Sequence, residues 1–472
     1  MLDKALTRRE FLWAAGLGAA GLSAVGRAAL AAASRPATAS APAARRLNII
    51  VLLADDLGYA DLGCQGCPDI PTPHIDSIAA AGARFTQGYV SCPVCSPSRA
   101  GLLTGRYQTR FGHEFNFTPY QARTTDAGLP PSEATLADRL GALGYATGLV
   151  GKWHQGERPQ YHPQKRGFDE FYGFLGGSRH YLATDKTVRL YRGSEEVKQQ
   201  AEYLTDEFAA EAAAFIRRHK DHPFFLYLSF NAVHMPLQTL QKYLDRFAGK
   251  ITDPKRLVYA GMLSAMDDAV GAVLAEVRQA GLERDTLVFF LSDNGGPTAF
   301  TTSRNDPLSG GKGQALEGGI RIPFLAQWPG RIPAGRTLQT QVISLDILPT
   351  ALAAAGGALD PKDTIDGADI LPLLTAQSDK PPHEALFWRF GHQWAVRTGN
   401  WKLVKAGPDD PTPARLFNLA DDIGERTDLA AQQPEKLRHL QAFYDQWNAR
   451  NAEPAWPSKV RKADADGEDL GD

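Results

Sequence analysis

The sequence predicts an α/β fold, with a large, mostly parallel β-sheet flanked by helices and a smaller unit after it. Residues 48–53, 224–230 and 286–291 are short, nearly uninterrupted apolar runs, which is how strands buried on both faces of a parallel sheet read. Helical patterns over 205–218 and 255–280 separate them, and strands alternating with helices imply a sheet covered on both faces. From about Pro381 the pattern changes to short alternating strand candidates at 386–390, 393–397 and 401–405. A turn at Thr398-Gly399-Asn400 and a helical stretch over 434–451 complete that unit.

At 472 residues the chain is long enough for one large domain and a smaller one. Its formal net charge of −2 supplies no attractive field for nucleic acid, so any anion must be met by a local cluster of cations. The first residues read as an export signal. Arg8 and Arg9, followed by Glu10, Phe11 and Leu12, precede an apolar Ala/Gly-rich run over 13–25 and small residues at 28–33. That is a charged start, an apolar middle and a cleavage region, and it resembles a twin-arginine signal. The apolar middle is short and rich in Gly and Ala, which makes a weak membrane span, and no later stretch is expected to approach membrane-spanning length.

The strand ends carry the chemistry. Residues 48–53 run into Asp55-Asp56, residues 286–291 into Ser292-Asp293-Asn294-Gly295, and residues 224–230 through Asn231 to His234. Functional groups of open α/β sheets collect outside the carboxyl ends of the strands. Asp55, Asp56, Asp293 and Asn294 make an all-oxygen set suited to Ca²⁺ or Mg²⁺. A single Asp-Asp pair reads as well as turn residues; two sets at strand ends read as a site.

Cys64, Cys67, Cys92 and Cys95 form two C-x-x-C pairs with 24 residues between them, a zinc-ribbon composition. The gap is long for a ribbon and holds a capped helix opening at Thr72-Pro73. Pairing among Cys64, Cys67 and Cys92 is open, and an oxidised pair suits an exported protein.

Cys95 also opens Cys95-Ser96-Pro97-Ser98-Arg99-Ala100-Gly101-Leu102-Leu103-Thr104-Gly105-Arg106. This stretch matches C-x-P-S-R-x-x-x-L-T-G-R at every fixed position. The chain thereby resembles the type I, formylglycine-dependent sulfatases of the alkaline phosphatase superfamily, arylsulfatase-like. Similar blocks recur at Asp55-Asp56, Gly151-Lys152-Trp153-His154, His234, Asp293-Asn294-Gly295, Lys312 and Glu317-Gly318-Gly319, so the resemblance spans 48–323.

The resemblance implies an alkaline phosphatase-like fold with a small C-terminal antiparallel sheet and packing helix. Leu416-Phe417-Asn418-Leu419, with Asp421, Asp422 and Glu425, forms the terminal block. It implies hydrolysis of sulfate esters and oxidation of Cys95 to formylglycine by a generating enzyme that reads C-x-P-S-R in the unfolded chain. It also implies Ca²⁺, with Mg²⁺ as the alternative, at Asp55, Asp56, Cys95, Asp293 and Asn294. The hydrated aldehyde is a geminal diol, a better partner for a hard cation than a thiol. Residues 98–103 start a helix whose amide N–H groups favour an anion, and Arg99, Lys152 and Lys312 add positive charge. By resemblance, His154 takes a proton from the second hydroxyl of the sulfated diol and expels sulfate, while His234 with Lys312 protonates the leaving alcohol. Gln155 departs from the family, which usually has Leu there; it is expected to alter packing near His154 without removing a catalytic group.

The expected organisation is a signal peptide over 1–33, a linker over 34–46, a catalytic domain over 47–380, a C-terminal subdomain over 381–457 and a disordered tail over 458–472. Export by the twin-arginine machinery implies a periplasmic or secreted enzyme, modified before it leaves the cytosol. The expected substrate is a sulfated carbohydrate, with aryl sulfates as assay substrates. Its pocket is expected from residues 176–200, including Arg179, His180, Tyr181 and Arg189, and from Trp388, Arg389 and His392. Two rival readings share parts of this pattern: a phosphodiester or phosphonate monoester hydrolase of the same superfamily, and a noncatalytic zinc-organised or carbohydrate-binding surface protein.

Overall fold

The computed structural model describes residues 47–183, 188–406 and 412–458; the expected signal peptide, the linker to Arg46 and the tail from residue 459 lie outside them. The three apolar runs form strands Asn48–Ala54, Phe224–Ser229 and Thr286–Ser292, buried along their whole length. Asn48–Ala54 lies inside a ten-stranded sheet, parallel to the other two, one on each side. The register sets Leu53 beside both Ser229 and Leu291. Residues 55–56, 230–234 and 293–294 therefore leave the sheet at one common edge, which is how segments far apart in the chain converge.

Ala146–Lys152 extends the parallel core beyond Phe224–Ser229, with Gly151 beside Ser229, and delivers Lys152 and His154 to the same edge. Its apolar run is broken by glycines, so composition hides it. Gly151 is required: it sits at φ 111°, and a Cβ there would lie 1.9 Å from the Ser229 carbonyl oxygen. Glu170–Phe174 adds a fifth parallel strand, whereas Phe324–Gln327 and Tyr191–Arg192 pair antiparallel at the margins. The sheet is thus mixed, with a parallel centre.

Alternation along the central strand divides the interior in two. Ile49, Val51 and Leu53 face one core; Ile50, Leu52 and Ala54 face the other, where helices Leu204–His219 and Pro254–Gln279 pack. Contrary to expectation, Pro254–Gln279 is long and apolar enough to cross a membrane, but it is mostly buried inside the protein. It is a core helix.

The C-terminal sheet is antiparallel, in the order Leu386–Phe390, Gln393–Thr398, Trp401–Lys405 and Arg415–Asn418, with helix Pro434–Asn448 against it. Leu386, Val396, Leu403 and Phe417 belong to the same core as the odd-numbered face of the central strand. Trp388, expected at the pocket, turns into the core, and Arg389 is tied to groups of the protein itself. The indole is fully buried and donates to Val90 O, and Arg389 is engaged by Glu114 and Asn448.

Candidate active site

Helix Cys95–Thr104 begins at the cysteine, three residues before the expected start, with Val94 extended just ahead of it. Pro97 falls in the first turn, where a missing N–H breaks no intrahelical bond. Every residue of the helix is buried, so this short element is held by its surroundings. Cys95 Sγ lies 3.6 Å from Asp55 Oδ1. Burial pushes the thiol pKa up, and the nearby Lys152 and Lys312 do not reverse this. An unmodified Cys95 would stay protonated, a weak nucleophile and a weak ligand.

Around it, buried acids and cations interlock. Lys152 Nζ lies 2.7 Å from Asp55 Oδ2, and Arg99 Nη2 lies 2.6 Å from Asp293 Oδ2 and 3.6 Å from Asp55 Oδ2. Lys312 Nζ lies 3.0 Å from Asp56 Oδ2, with His234 Nε2 at 3.6 Å from the same oxygen. Asn294 Nδ2 donates to Asp56 Oδ1 at 2.7 Å. Burial works to raise the pKa of both Asp55 and Asp56, but the positive groups outweigh it: Lys152, His234 and Arg99 for Asp55, Lys312 and His234 for Asp56. Both carboxyls therefore stay ionised.

The donor set fits a hard divalent cation. Ligating atoms of Asp55, Asp56, Cys95 and His234 lie within 4.8 Å of one another. Asn294 Oδ1 is buried and accepts no hydrogen bond, which is what an oxygen turned towards a cation looks like from the protein side. The zinc ribbon fails on the same geometry. Among the described residues no group of potential ligands contains two cysteines, and Cys64, Cys67, Cys92 and Cys95 are all free thiols.

The two histidines differ. His154 is 2% exposed at φ 53°, uncommon for a residue with a side chain. Burial, reinforced by Lys152 and Arg99, holds its pKa well below the ordinary histidine value, so the ring is neutral. Phe117 stands edge-on to it at 5.1 Å, and a Cβ on Gly177 would lie 2.8 Å from its Nε2. His234 Nδ1 lies 2.6 Å from Met235 O; a carbonyl only accepts, so Nδ1 carries a hydrogen and Nε2 faces Asp56.

Of the loop expected to build the pocket, Tyr181 is spent on structure: its one hydroxyl hydrogen is shared between the carbonyls of Asn231 and His234. Sequence reasoning missed Tyr181 in this role, together with Ser229, whose hydroxyl receives Arg99 Nη1 at 2.5 Å. Neither belongs to a motif. The Gly318-Gly319 pair does, and it grips the ligand turn: Gly295 N donates to Gly319 O at 3.0 Å, and a Cβ on Gly295 would lie 1.8 Å from Gly318 O. Glu317, just before that pair, is buried against Lys402, Arg321 and Tyr89.

Residues 47–358 match the family model described as sulfatase. The chain belongs to the sulfatase family. Residues 312–442 of this sulfatase match a second model, described as N-sulphoglucosamine sulphohydrolase, C-terminal. It is 36% identical to the N-acetylgalactosamine-6-sulfatase of Canis lupus familiaris, over 91% of this chain and 86% of that one. Its identity to human arylsulfatase A is 35%, over 85% and 88% of the two chains. The crystal structure of Ps i-CgsB superimposes with a TM-score of 0.82 at 36% identity, covering 87% of this chain and 95% of that one. That protein has also been crystallised in complex with k-i-k-neocarrahexaose. The sulfatase is a sulfuric ester hydrolase with the fold that its sequence predicts.

Proposed function

We propose that this sulfatase is exported and removes sulfate from a carbohydrate, using a formylglycine made from Cys95 and a divalent cation, Ca²⁺ or Mg²⁺. The observation that carries the reading is the placement of Cys95. It opens a buried helix 3.6 Å from Asp55, among Arg99, Lys152 and Lys312, where a thiol itself would be inert. Asp55, Asp56, Asp293 and Asn294, with the oxygens of the modified residue 95, would hold the cation. Together the two groups would supply an acidified diol oxygen as nucleophile.

The remaining work falls to the chain's own side chains. Arg99, Lys152 and Lys312 offset the charge of the sulfate among largely buried side chains, where fixed charges act strongly. His154, neutral through burial, is the base that accepts a proton as sulfate departs. His234, hydrogen-bonded to Met235 O through Nδ1 and facing Asp56 through Nε2, donates to the leaving alcohol with Lys312. A carbohydrate substrate is supported by the relatives, one named for N-acetylgalactosamine and one crystallised with a neocarrahexaose. Periplasmic or secreted location rests on the paired Arg8 and Arg9 and the apolar run after them.

Sulfate release from sulfated saccharides and aryl sulfates, run beside a phosphodiester, tests the activity. Peptide mass analysis of the same preparation tests the nucleophile. Sulfate release with Cys95 converted to formylglycine is the expected result. Full activity with Cys95 wholly unmodified, or turnover of the phosphodiester alone, would refute the proposal.

A further inference from the structure

His154 owes its position to contacts that no family block predicts. Its carbonyl oxygen receives two hydrogen bonds, from Ser96 Oγ at 2.7 Å and from Gln155 Nε2 at 2.7 Å. The second amide hydrogen of Gln155 goes to Ser96 O at 2.8 Å. Gln155 therefore staples the residue after the nucleophile to the residue that carries the imidazole. The amide has one workable orientation, because both partners are carbonyls and can only accept.

The other end of the network is equally determined. Ser96 has a single hydroxyl hydrogen, and His154 O, an acceptor, takes it. The contact of Ser96 Oγ with His113 Nε2 at 2.7 Å must then run the other way, with His113 donating. His113 therefore carries a hydrogen on Nε2; burial holds its pKa well below the ordinary histidine value, so the ring is neutral, and its Nδ1 is buried without a partner. Bonds in such a row polarise one another. Trp456 packs edge-on to His113 at 4.7 Å, and Phe117 stands between the two histidine rings, 6.1 Å from His113 and 5.1 Å from His154.

Gln155 is completely buried, and its Oε1 receives no hydrogen bond. An unsatisfied buried carbonyl is unfavourable, and the leucine usual at this position would avoid it. The amide is accordingly present for its NH₂ end. That end fastens a backbone at φ 53°, whose imidazole is wedged between Phe117 and Gly177. A peptide held in so sparsely populated a region moves unless its surroundings fix it.

We propose that Gln155, together with the Ser96–His113 pair, is a positioning residue that sets the His154 imidazole for its proton transfer. This rests on the reading of His154 as the base. The test is a double-mutant cycle on the full-length enzyme with an aryl sulfate, formylglycine content being measured by mass for every variant. Gln155→Met keeps the length and volume of the side chain and removes both donors. It is expected to lower kcat about 10- to 100-fold, the scale of a small misplacement of a catalytic group, with KM changed less than about 3-fold. In a His154→Ala background the same substitution should change kcat less than about 2-fold, because its effect passes through a ring that is already gone. His113→Phe, which keeps the aromatic packing and removes the donor to Ser96, should behave alike and decides the matter if Gln155→Met does not fold. Equal losses in both backgrounds, or full kcat in a folded Gln155→Met enzyme, overturn the inference alone. A His154→Ala enzyme with undiminished kcat overturns the reading of the base, and the inference with it.

Discussion

Lys402→Met removes an ammonium shared by two buried carboxylates. Its Nζ lies 3.0 Å from Glu317 Oε1 and 2.8 Å from Glu425 Oε1, and all three side chains are inaccessible to solvent. The two acids would not suffer alike. Glu317 keeps Tyr89 Oη at 2.6 Å and Arg321 Nη1 at 3.2 Å, whereas Glu425 keeps the Glu317 amide at 2.7 Å. Stranding one partner of a buried ion pair costs about 3–5 kcal/mol. Burial already pushes the Glu425 pKa up, against the pull of Lys402. Without Lys402 it takes up a proton, which places the loss near the lower end, about 3 kcal/mol. For a chain of this length that is a fall in Tm of roughly 3 °C. The damage should also reach the cation, since Glu317 precedes the Gly318-Gly319 pair that grips the Asp293-Asn294-Gly295 turn. An outer contact of this kind is worth about 10-fold in metal affinity. Melting curves and a chelator-competition titration with Ca²⁺ measure both effects. Adding Glu425→Gln should restore part of the Tm, because a neutral amide needs no proton to be taken up on folding. Unchanged Tm and unchanged cation affinity in Lys402→Met would refute the argument.

The other predictions address the site and the pH dependence of stability. Asn294→Leu removes the buried oxygen that accepts no hydrogen bond and should weaken cation binding about 10- to 100-fold; elemental analysis that finds stoichiometric zinc without calcium or magnesium would contradict the hard-cation site. His234→Ala should slow alkyl sulfates about 10²–10⁴-fold and aryl sulfates with acidic phenols far less, because a good leaving group needs little proton donation. His154→Ala should give a burst of phenol followed by a slow steady state on every aryl sulfate; equal alkyl and aryl losses in the first variant and no burst in the second would reverse the assignment of roles. Away from the site, burial works to lower the His383 pKa, but Asp346, 2.7 Å from Nε2, raises it overall. The folded state then binds that proton more tightly than the unfolded state. Its contribution is complete below the unfolded value of about 6.5 and fades as the pH climbs through the higher folded value. His383→Gln should therefore destabilise more at about pH 5.5 than at about pH 9.5 in denaturant titrations, and equal losses would show that the pair carries no proton linkage.

Local pattern told a great deal. Strands Asn48–Ala54, Phe224–Ser229 and Thr286–Ser292 were legible because burial on both faces demands unbroken apolar runs. The Cys95 signature was legible because its residues are contiguous. Ala146–Lys152 was hidden, since the glycines that let it pass close to its neighbour also break its apolar run. The helix start fell at Cys95 instead of Ser98 because the turn ahead of it is fixed by packing, which leaves no capping side chain to read. Trp388 is expected at the cleft but lies in the core, because a short alternating strand does not reveal which of its faces is covered.

The sequence by itself determined the fold class, the apolar strands and the acids at their carboxyl ends, because each is written within a few consecutive residues. Tertiary structure alone decided who meets whom. Lys152 reaches Asp55 across 97 positions and Arg99 reaches Asp293 across 194, and no local period encodes such a meeting. Gln155 is the sharpest case. In the sequence it is one polar residue where the family has an apolar one. In the fold it joins two carbonyls, that of Ser96 in the helix opening at Cys95 and that of His154 just beyond strand Ala146–Lys152. Periodicity reports which face a side chain turns towards. Only the register of paired strands, set by the packing of the whole core, determines what waits for it there.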